Sequence, residues 1–334
     1  MEWWLPLIWF GVIAFAVFMY VLLDGFDLGI GILFPFAPSE QDRDVMMNSV
    51  APVWDGNETW LVLGGGGLFI AFPVAYAAAF PALYLPLLLM LIALIFRGVA
   101  FEFRFRAESS RRFWNAGFFA GSLFATFAQG LILGNFVAGI PLDGISFAGG
   151  ALDWLTPFSL FTAVALVIGY ALLGATWLIL KTEGSLQAWA SRWVHPLTLG
   201  MIAAIVGVSL WTPLLNAAIT ERWFSWPNLL WLSPVPVLTA LFSAWLWRAT
   251  SRGAERLPFL LTLGLFLLCF IGLAISLWPN ILPPGLSIWQ AASSPQTQLF
   301  MLIGVLALMP LVLGYTAYSY YVFRGKVRPG GGYA

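Results

Sequence analysis

Four carboxylates occur as two pairs within or beside long apolar runs, where an ionised side chain is costly. Asp24 and Asp27 lie three residues apart near the end of the first run, and Asp55 and Glu58 have the same spacing at the start of the second. Residues three apart on an α-helix share a face. A carboxylate at membrane depth usually faces protein or water and can exchange protons. These four side chains are therefore candidates for taking up and releasing protons near the membrane surface.

The second pair also has a structural interpretation. Asp55 could cap the second helix by accepting backbone N–H bonds, with Glu58 completing the capping arrangement. If Asn48 or Ser49 caps the helix and Pro52 begins it, Asp55 instead lies about 9 Å inside, where burial disfavours its charged form. The capping and proton-carrying roles both remain open at this stage.

Arg97 and Glu102 are further charges in the third apolar run. Arg97 can extend its charged head toward the membrane surface or pair with a carboxylate of the first two runs. Asp24 and Asp27 could likewise lie at headgroup level and pair with arginine or backbone donors. We expect the ends of the first three runs to share a polar cluster in which Arg97 and Glu102 are supporting ion pairs.

The composition shows which kind of protein must position these charges. Hydrophobic residues make up 61% of the 334 residues and charged residues 9%, against roughly 25% charged in a soluble protein. Such a chain cannot cover a water-facing surface, so it is predicted to be an all-α polytopic membrane protein. The formal net charge of +0 gives no electrostatic basis for binding nucleic acid.

Nine apolar runs are long enough to cross the bilayer as helices. They are Leu7–Leu33, Pro52–Tyr76, Phe80–Phe101, Asn115–Ala138, Pro157–Leu180, Leu197–Ala217, Trp231–Trp247, Pro258–Trp278 and Phe300–Phe323. The seventh is the weakest because it is short and contains two prolines. Residues 1–328 are expected to form a single membrane domain, and the glycine-rich residues 329–334 a disordered tail.

The basic residues support this count. With nine spans, every Lys and Arg of the 15 except Arg222 falls on one side. The positive-inside rule then places the N-terminus outside and the C-terminus in the cytoplasm. Removing the seventh span would put the last two basic clusters on the wrong side.

His195 and Cys269 are the single residues of their types. One histidine excludes a haem or metal site with two histidine ligands from this chain alone, and one cysteine excludes an internal disulfide. No soluble-enzyme motif is present. We therefore expect no metal site and no catalytic residue within the chain.

Several segments now carry a resemblance along the whole chain. They are Asp24-Gly-Phe-Asp-Leu-Gly29, Trp54-Asp-Gly-Asn-Glu-Thr-Trp60, Tyr76-Ala-Ala-Ala-Phe80, Phe96-Arg-Gly-Val-Ala-Phe-Glu-Phe-Arg104, Ser293-Ser294 and Tyr315–Tyr321. The sequence resembles subunit II of the cytochrome bd family of quinol oxidases, including its cyanide-insensitive branch. The segment around Asp55 is the most specific.

The resemblance implies two four-helix bundles plus one peripheral helix, in a bacterial cytoplasmic (inner) membrane. It implies a complex that oxidises quinol and reduces oxygen to water, with haems b and d, or b only, in a partner subunit I. Subunit II would bind no haem itself and would use Asp55 in a proton path from the cytoplasm. Some relatives hold a structural quinone in subunit II, and membrane lipid and a small accessory subunit are further partners to consider.

Two other function classes remain open from the residues alone. An ion-coupled transporter would need acids near the membrane midplane and broken helices, whereas the acids here lie toward one face. In a purely structural subunit, the same acids would be caps and ion pairs.

Overall fold

The computed structural model describes residues 3–107, 109–328 and 330. Except for Gly330, the predicted disordered tail at 329–334 lies outside the described residues. Within the described part, the chain forms helices α1 (Trp4–Leu33), α2 (Glu40–Asn48), α3 (Trp54–Ala71), α4 (Pro73–Ala82), α5 (Tyr84–Arg106), α6 (Arg111–Ala138), α7 (Pro157–Lys181), α8 (Gly184–Leu215), α9 (Ala217–Phe224), α10 (Asn228–Leu232), α11 (Pro234–Ser251), α12 (Leu257–Leu277), α13 (Ile288–Ala291) and α14 (Pro295–Val322). A 3₁₀ turn at Phe34–Phe36 follows α1. Two small antiparallel hairpins pair β1 (Leu142–Asp143) with β2 (Ser146–Phe147) and β3 (Asn280–Leu282) with β4 (Leu286–Ser287).

The nine predicted spans are confirmed, with one change of shape. Across the described ranges, eight spans are long and apolar enough to cross a membrane unaided, and α3 with α4 forms the ninth, bent by 119°. The predicted second span, Pro52–Tyr76, is therefore not one continuous helix. It breaks at Phe72, which has φ −132° and ψ 60°, because the residue before a proline is disfavoured in the helical region and Pro73 lacks a backbone N–H.

The helices pack as two bundles beside each other, as the resemblance implies. Helices α1, α3, α5 and α6 form the first, and α7, α8, α11 and α12 the second, with α7 against both α1 and α6. Helix α14 packs at the periphery, on α3 and α1. Its most apolar stretch is only 6% buried, against 67% for α7. Helix α7 is thus the central span and α14 the outermost.

Glycines bring α1 and α7 into backbone contact next to the predicted acids. A Cβ added to Gly29 would lie 1.8 Å from the carbonyl oxygen of Tyr170, and one added to Gly174 would lie 2.5 Å from the Gly29 carbonyl carbon. Gly25 and Gly29 form a G-x-x-x-G pattern, which permits close helix crossing in membranes. This crossing fixes the depth and rotation of Asp24 and Asp27 relative to the second bundle.

Because successive spans run in opposite directions, the basic residues other than Arg222 collect at one end of the fold, here called the basic end. Arg222, at the opposite end, donates from Nη1 to the carbonyl oxygens of Ile275 (2.9 Å) and Ser276 (3.0 Å) at the end of α12. The exception to the charge pattern thus satisfies helix-terminal carbonyls. The side of the membrane that the basic end faces stays a prediction.

Candidate functional site

The charged cluster lies near the basic end, where α1, α3 and α5 meet. Arg97 on α5 points its guanidinium between the other two helices. Its Nη2 lies 3.2 Å from Asp24 Oδ1 and 3.8 Å from Asp27 Oδ2, and its Nη1 lies 2.5 Å from Glu58 Oε1. The expectation that Arg97 joins carboxylates of the first two spans is confirmed. We call these four residues the carboxylate cluster.

The cluster is buried except on one side. The side chains of Asp24, Asp27 and Arg97 are 0% exposed, whereas that of Glu58 is 23% exposed. Asp24 and Asp27 are covered by the packed bundle and pair with Arg97, as their structural alternative predicted. Glu58 is the member through which the cluster can reach water or a neighbouring chain.

Aromatic rings hold the arginine in place. The Trp54 and Phe101 rings stack with centroids 4.8 Å apart. The guanidinium carbon of Arg97 lies 6.0 Å from the Trp54 centroid and 5.5 Å from that of Phe101, within cation–π range. Both rings come from segments quoted for the family resemblance. Those segments therefore contain the rings that support Arg97 as well as the acids that pair with it.

Asn57 and Tyr320 belong to the site, although the sequence did not assign them to it. Asn57 is 1% exposed and donates from Nδ2 to Asp27 Oδ2 at 2.7 Å. The Tyr320 hydroxyl on α14 donates to Asn57 Oδ1 at 2.9 Å. Asn57 stands between Asp55 and Glu58 in the most specific segment, which was the available signal. Tyr320 lies in the Tyr315–Tyr321 segment, which carries part of the resemblance, but its contact with Asn57 spans 263 residues and was not predicted.

Asp55 differs from both detailed expectations. Helix α3 begins at Trp54, with Val53 at the N-cap and no side-chain capping bond. Asp55 is therefore an exposed residue of the first turn, neither a cap nor a residue buried 9 Å inside the helix. The predicted earlier helix start fails because the chain from Ser49 to Val53 forms turns. Asp55 stands one turn before Glu58 on the same face.

Glu102 does not join the cluster. It pairs with Arg106 at 3.8 Å, and these side chains are 66% and 84% exposed. Five residues after Arg97, it points about 140° away around the helix, because each residue turns about 100°. Of the two residues expected in the cluster, Arg97 lies in it and Glu102 does not, and the exposed pair of Glu102 contributes little.

A second ionic group fastens α2 to the basic end. Asp44 pairs with Arg104 at 2.7 Å and also with Arg111, and Glu40 contacts Asn115 and Arg43. Partial burial opposes ionisation of Asp44, but hydrogen bonds from Arg111 and Arg104 outweigh it and hold its pKa below the usual range. For Glu40, slight burial is likewise outweighed by Asn115 and Arg43, so its pKa is also lowered. Both acids are fixed negative charges at neutral pH.

The chain's histidine packs between α8 and α11. His195 lies within α8, with Nε2 3.1 Å from Ser251 Oγ and its ring 4.3 Å from that of Trp247. A second histidine ligand is absent from the sequence. Within the described residues, no group of three or more His, Cys, Asp or Glu side chains could hold a metal ion. The carboxylate cluster, already centred on a cation, is suited to exchanging protons.

The fold and this site together define a polytopic membrane protein with ionisable groups buried between its helices. The family model described as cytochrome bd terminal oxidase subunit II matches residues 5–323. The chain therefore belongs to that family and is a subunit of a membrane terminal oxidase complex.

Individual relatives extend along nearly the whole chain. It is 30% identical to cytochrome bd-I ubiquinol oxidase subunit 2 of Escherichia coli (strain K12), over 97% of this chain and 95% of that protein. It is 29% identical to cytochrome bd ubiquinol oxidase subunit 2 of Bacillus subtilis (strain 168), over 96% of both. The solved bd oxidase from Geobacillus thermodenitrificans has a chain of the same fold, with TM-score 0.78 and 18% identity over 96% of this chain and 98% of that one.

Proposed function

We propose that this chain is the haem-free subunit II of a quinol-oxidising complex and supplies a cytoplasmic proton path for oxygen reduction in subunit I. The relatives from E. coli and B. subtilis are named as ubiquinol oxidase subunits, which supports a quinol as electron donor. Reduction of oxygen to water consumes protons. Drawing them from the cytoplasm contributes to the proton-motive force.

The observation that carries this proposal is the charge balance of the carboxylate cluster. Three carboxyl groups surround one guanidinium, so the buried group is electrically neutral only when two of them hold protons. A bare excess of negative charge in an apolar interior is expensive. Three acids that compete for one cation form a coupled group that can gain or lose a proton as a unit. Purely structural ion pairing needs only one acid.

The partial exposure of Glu58 gives the cluster its proton entrance. Asp55 precedes Glu58 by one turn and is exposed at the basic end. A proton taken up at Asp55 passes to Glu58 and then into the group formed with Asp24 and Asp27. The basic end faces the cytoplasm in this proposal, in agreement with the positive-inside rule.

The haem-free assignment rests on the surroundings of His195, and it leaves the oxidase chemistry to subunit I. Family membership in a terminal oxidase complex supports a second role, stabilisation of the haem-bearing partner in the membrane. Because the chain belongs to this oxidase family, we do not retain the hypothesis of an ion-coupled transporter.

Glu58→Gln tests the proton path, because glutamine keeps the shape of the side chain and carries no exchangeable acidic proton. The variant is purified with subunit I, and oxygen consumption is measured per haem. We expect a full haem complement and turnover reduced by about tenfold or more. Glu102→Gln, at the same end but outside the cluster, is the control and should be unaffected. Normal turnover of Glu58→Gln would overturn the path, and haem bound to the isolated chain would overturn the haem-free assignment.

A further inference from the structure

Two buried tyrosines and a glutamine form a hydrogen-bonded chain across three helices. The Gln129 Nε2 on α6 donates to the Tyr20 hydroxyl on α1 at 2.7 Å, and the Tyr170 hydroxyl on α7 donates to Gln129 Oε1 at 3.0 Å. Tyr20 is 4% exposed and Tyr170 0% exposed. Buried polar groups require hydrogen-bond partners, and a single pair would meet that need. Here three side chains from three different helices are linked.

This hydrogen-bonded chain of side chains begins at the inner end of the carboxylate cluster. Tyr20 precedes Asp24 by four residues, so the two side chains share a face of α1. The Tyr170 ring lies against the backbone beside Asp24, since a Cβ added to Gly25 would be 2.9 Å from its Cε1 atom. The close crossing of α1 and α7 therefore sets the position of the Tyr170 hydroxyl as well.

We propose that Tyr20, Gln129 and Tyr170 close the inner end of the carboxylate cluster, holding Asp24 in place while stopping protons from moving deeper between α1, α6 and α7. This inference rests on the proposed proton path and deepens it. The three are positioning residues. Protons enter the cluster on the Glu58 side and leave toward subunit I on that same side, not between α1, α6 and α7.

The stop follows from the chemistry of the amide. A phenol can accept a proton on its oxygen and release another, so a tyrosine can belong to a relay. An amide that accepted a proton on oxygen and released one from nitrogen would become an imidic acid, which cannot repeat the step until it reverts. Gln129 therefore passes on hydrogen bonding and orientation but interrupts proton transfer.

The region beyond these three hydrogen-bonded side chains is apolar. The next polar side chain on α7 toward the opposite end is Thr162, eight residues from Tyr170, which corresponds to about 12 Å of helix. The stretch between them is entirely apolar. A seal at Gln129 thus adds to an apolar layer that separates the cluster from Thr162, which donates to the Gly130 carbonyl oxygen at 2.9 Å.

The groups facing Asp24 come from five helices, and each could affect a pH profile. They are Asp27 and Tyr20 on α1, Glu58 on α3, Arg97 on α5, Tyr170 on α7 and Tyr320 on α14. The test therefore compares substitutions along the hydrogen-bonded chain and does not rely on one pH curve.

The experiment uses Tyr20→Phe, Gln129→Leu and Tyr170→Phe in the complete oxidase complex, with Tyr84→Phe as an exposed control and Glu58→Gln as reference. Haem content, quinol KM, kcat and the pH profile of oxygen consumption are measured. For Tyr20→Phe we expect full haem content, an unchanged KM, kcat lower by about threefold to tenfold and a displaced pH profile. Tyr170→Phe lies two hydrogen bonds from Tyr20 and should change kcat by less than about twofold, and Gln129→Leu should fall between them.

Two outcomes overturn the inference. If Tyr170→Phe slows turnover as much as Tyr20→Phe, the chain conducts protons. If Tyr20→Phe has the wild-type kcat and pH profile, the chain does not position Asp24. If Tyr20→Phe loses haem, the same comparison is made between Gln129→Leu and Tyr170→Phe. Normal turnover of Glu58→Gln indicates instead that the proposed path itself has failed.

Discussion

The guanidinium of Arg97 on α5 and the carboxylate of Glu58 on α3 lie 2.5 Å apart, although 39 residues separate them in sequence. Arg97 uses its two terminal nitrogens in different directions, Nη1 toward Glu58 and Nη2 toward Asp24 and Asp27. One fixed cation therefore links the exposed acid to the two buried acids. The arrangement joins three helices and brings three proton-binding groups around one charge.

Replacing Arg97 with methionine removes that charge and leaves an unbranched apolar side chain in place of the aliphatic stem of the arginine. The buried acids would lose their cation, and breaking a buried pair in this way costs about 3–5 kcal/mol. We expect a low yield of haem-loaded complex and a reduced Tm. Arg97→Lys should restore only part of the loss, because one ammonium does not reproduce the fork of the guanidinium. Arg106→Met, at an 84% exposed side chain, serves as control; equal Tm values for the two methionine variants would contradict this account.

Asp55→Asn separates the entrance from the cluster. Asp55 makes no capping bond in α3, so asparagine should leave assembly and haem content unchanged. Because it cannot carry a proton, oxygen consumption and membrane potential should both fall, by less than in Glu58→Gln, since water can still reach the partly exposed Glu58. The comparison is made in proteoliposomes. Wild-type turnover in a fully assembled Asp55→Asn complex removes Asp55 from the path.

Acid should release α2 from the basic end. The pKa of Asp44 is held below its usual range, so its stabilising effect is complete above about pH 4, the unfolded value, and is lost as the pH falls through the lower folded value. Hydrogen exchange of α2 should therefore be slow at neutral pH and accelerate only in acid below that point. Asp44→Asn should exchange faster at neutral pH and lose part of this acid dependence, because Glu40 on α2 keeps its own lowered pKa. An identical pH dependence in the variant would show that other groups hold α2.

Much of the fold was predictable because it depends on local properties of the sequence. A run of about 20 apolar residues specifies a span wherever it occurs, and the basic residues determined the number of spans. That Asp24 and Asp27 share one face of α1 follows from their spacing alone. The break in the second span had a local signal in Pro73, but apolarity on both sides of it favoured one continuous helix.

The partners within the site were less predictable. Tyr20, Gln129 and Tyr170 lie on three different spans, and their hydrogen bonds depend on how far α1 and α7 approach and rotate. That approach is encoded by Gly25 and Gly29, whose spacing is visible in the sequence but whose partner helix is not. The exposure of Asp55 likewise depends on where α3 begins. The turns at residues 49–53 determine that start.

The orientation of the whole chain can be tested with reporters. All basic residues except Arg222 lie at one end, and the positive-inside rule places that end in the cytoplasm. A reporter fused after Ala334 should therefore be active only in a cytoplasmic form, such as a fluorescent protein that fails to mature outside. A reporter inserted in the β1–β2 hairpin, at Gly144, should be active only in a periplasmic form. The reverse result at either position contradicts the proposed entrance of protons from the cytoplasm.

Gly29→Ala tests the helix crossing on which both proposals depend. The added Cβ would lie 1.8 Å from the Tyr170 carbonyl oxygen and 2.9 Å from the Gly174 backbone nitrogen. These are backbone atoms, so the clash is relieved only if α1 and α7 separate. Such overpacking costs about 1–3 kcal/mol or more, and separation would also draw the Tyr170 ring away from Gly25 and the Tyr170 hydroxyl away from Gln129. We expect a lower Tm of the purified complex together with slower oxygen consumption. Gly11→Ala, on the same helix with nothing within 4 Å of its added Cβ, is the matched control and should keep both Tm and turnover. If the two variants behave alike, the close crossing of α1 and α7 does not hold the site together.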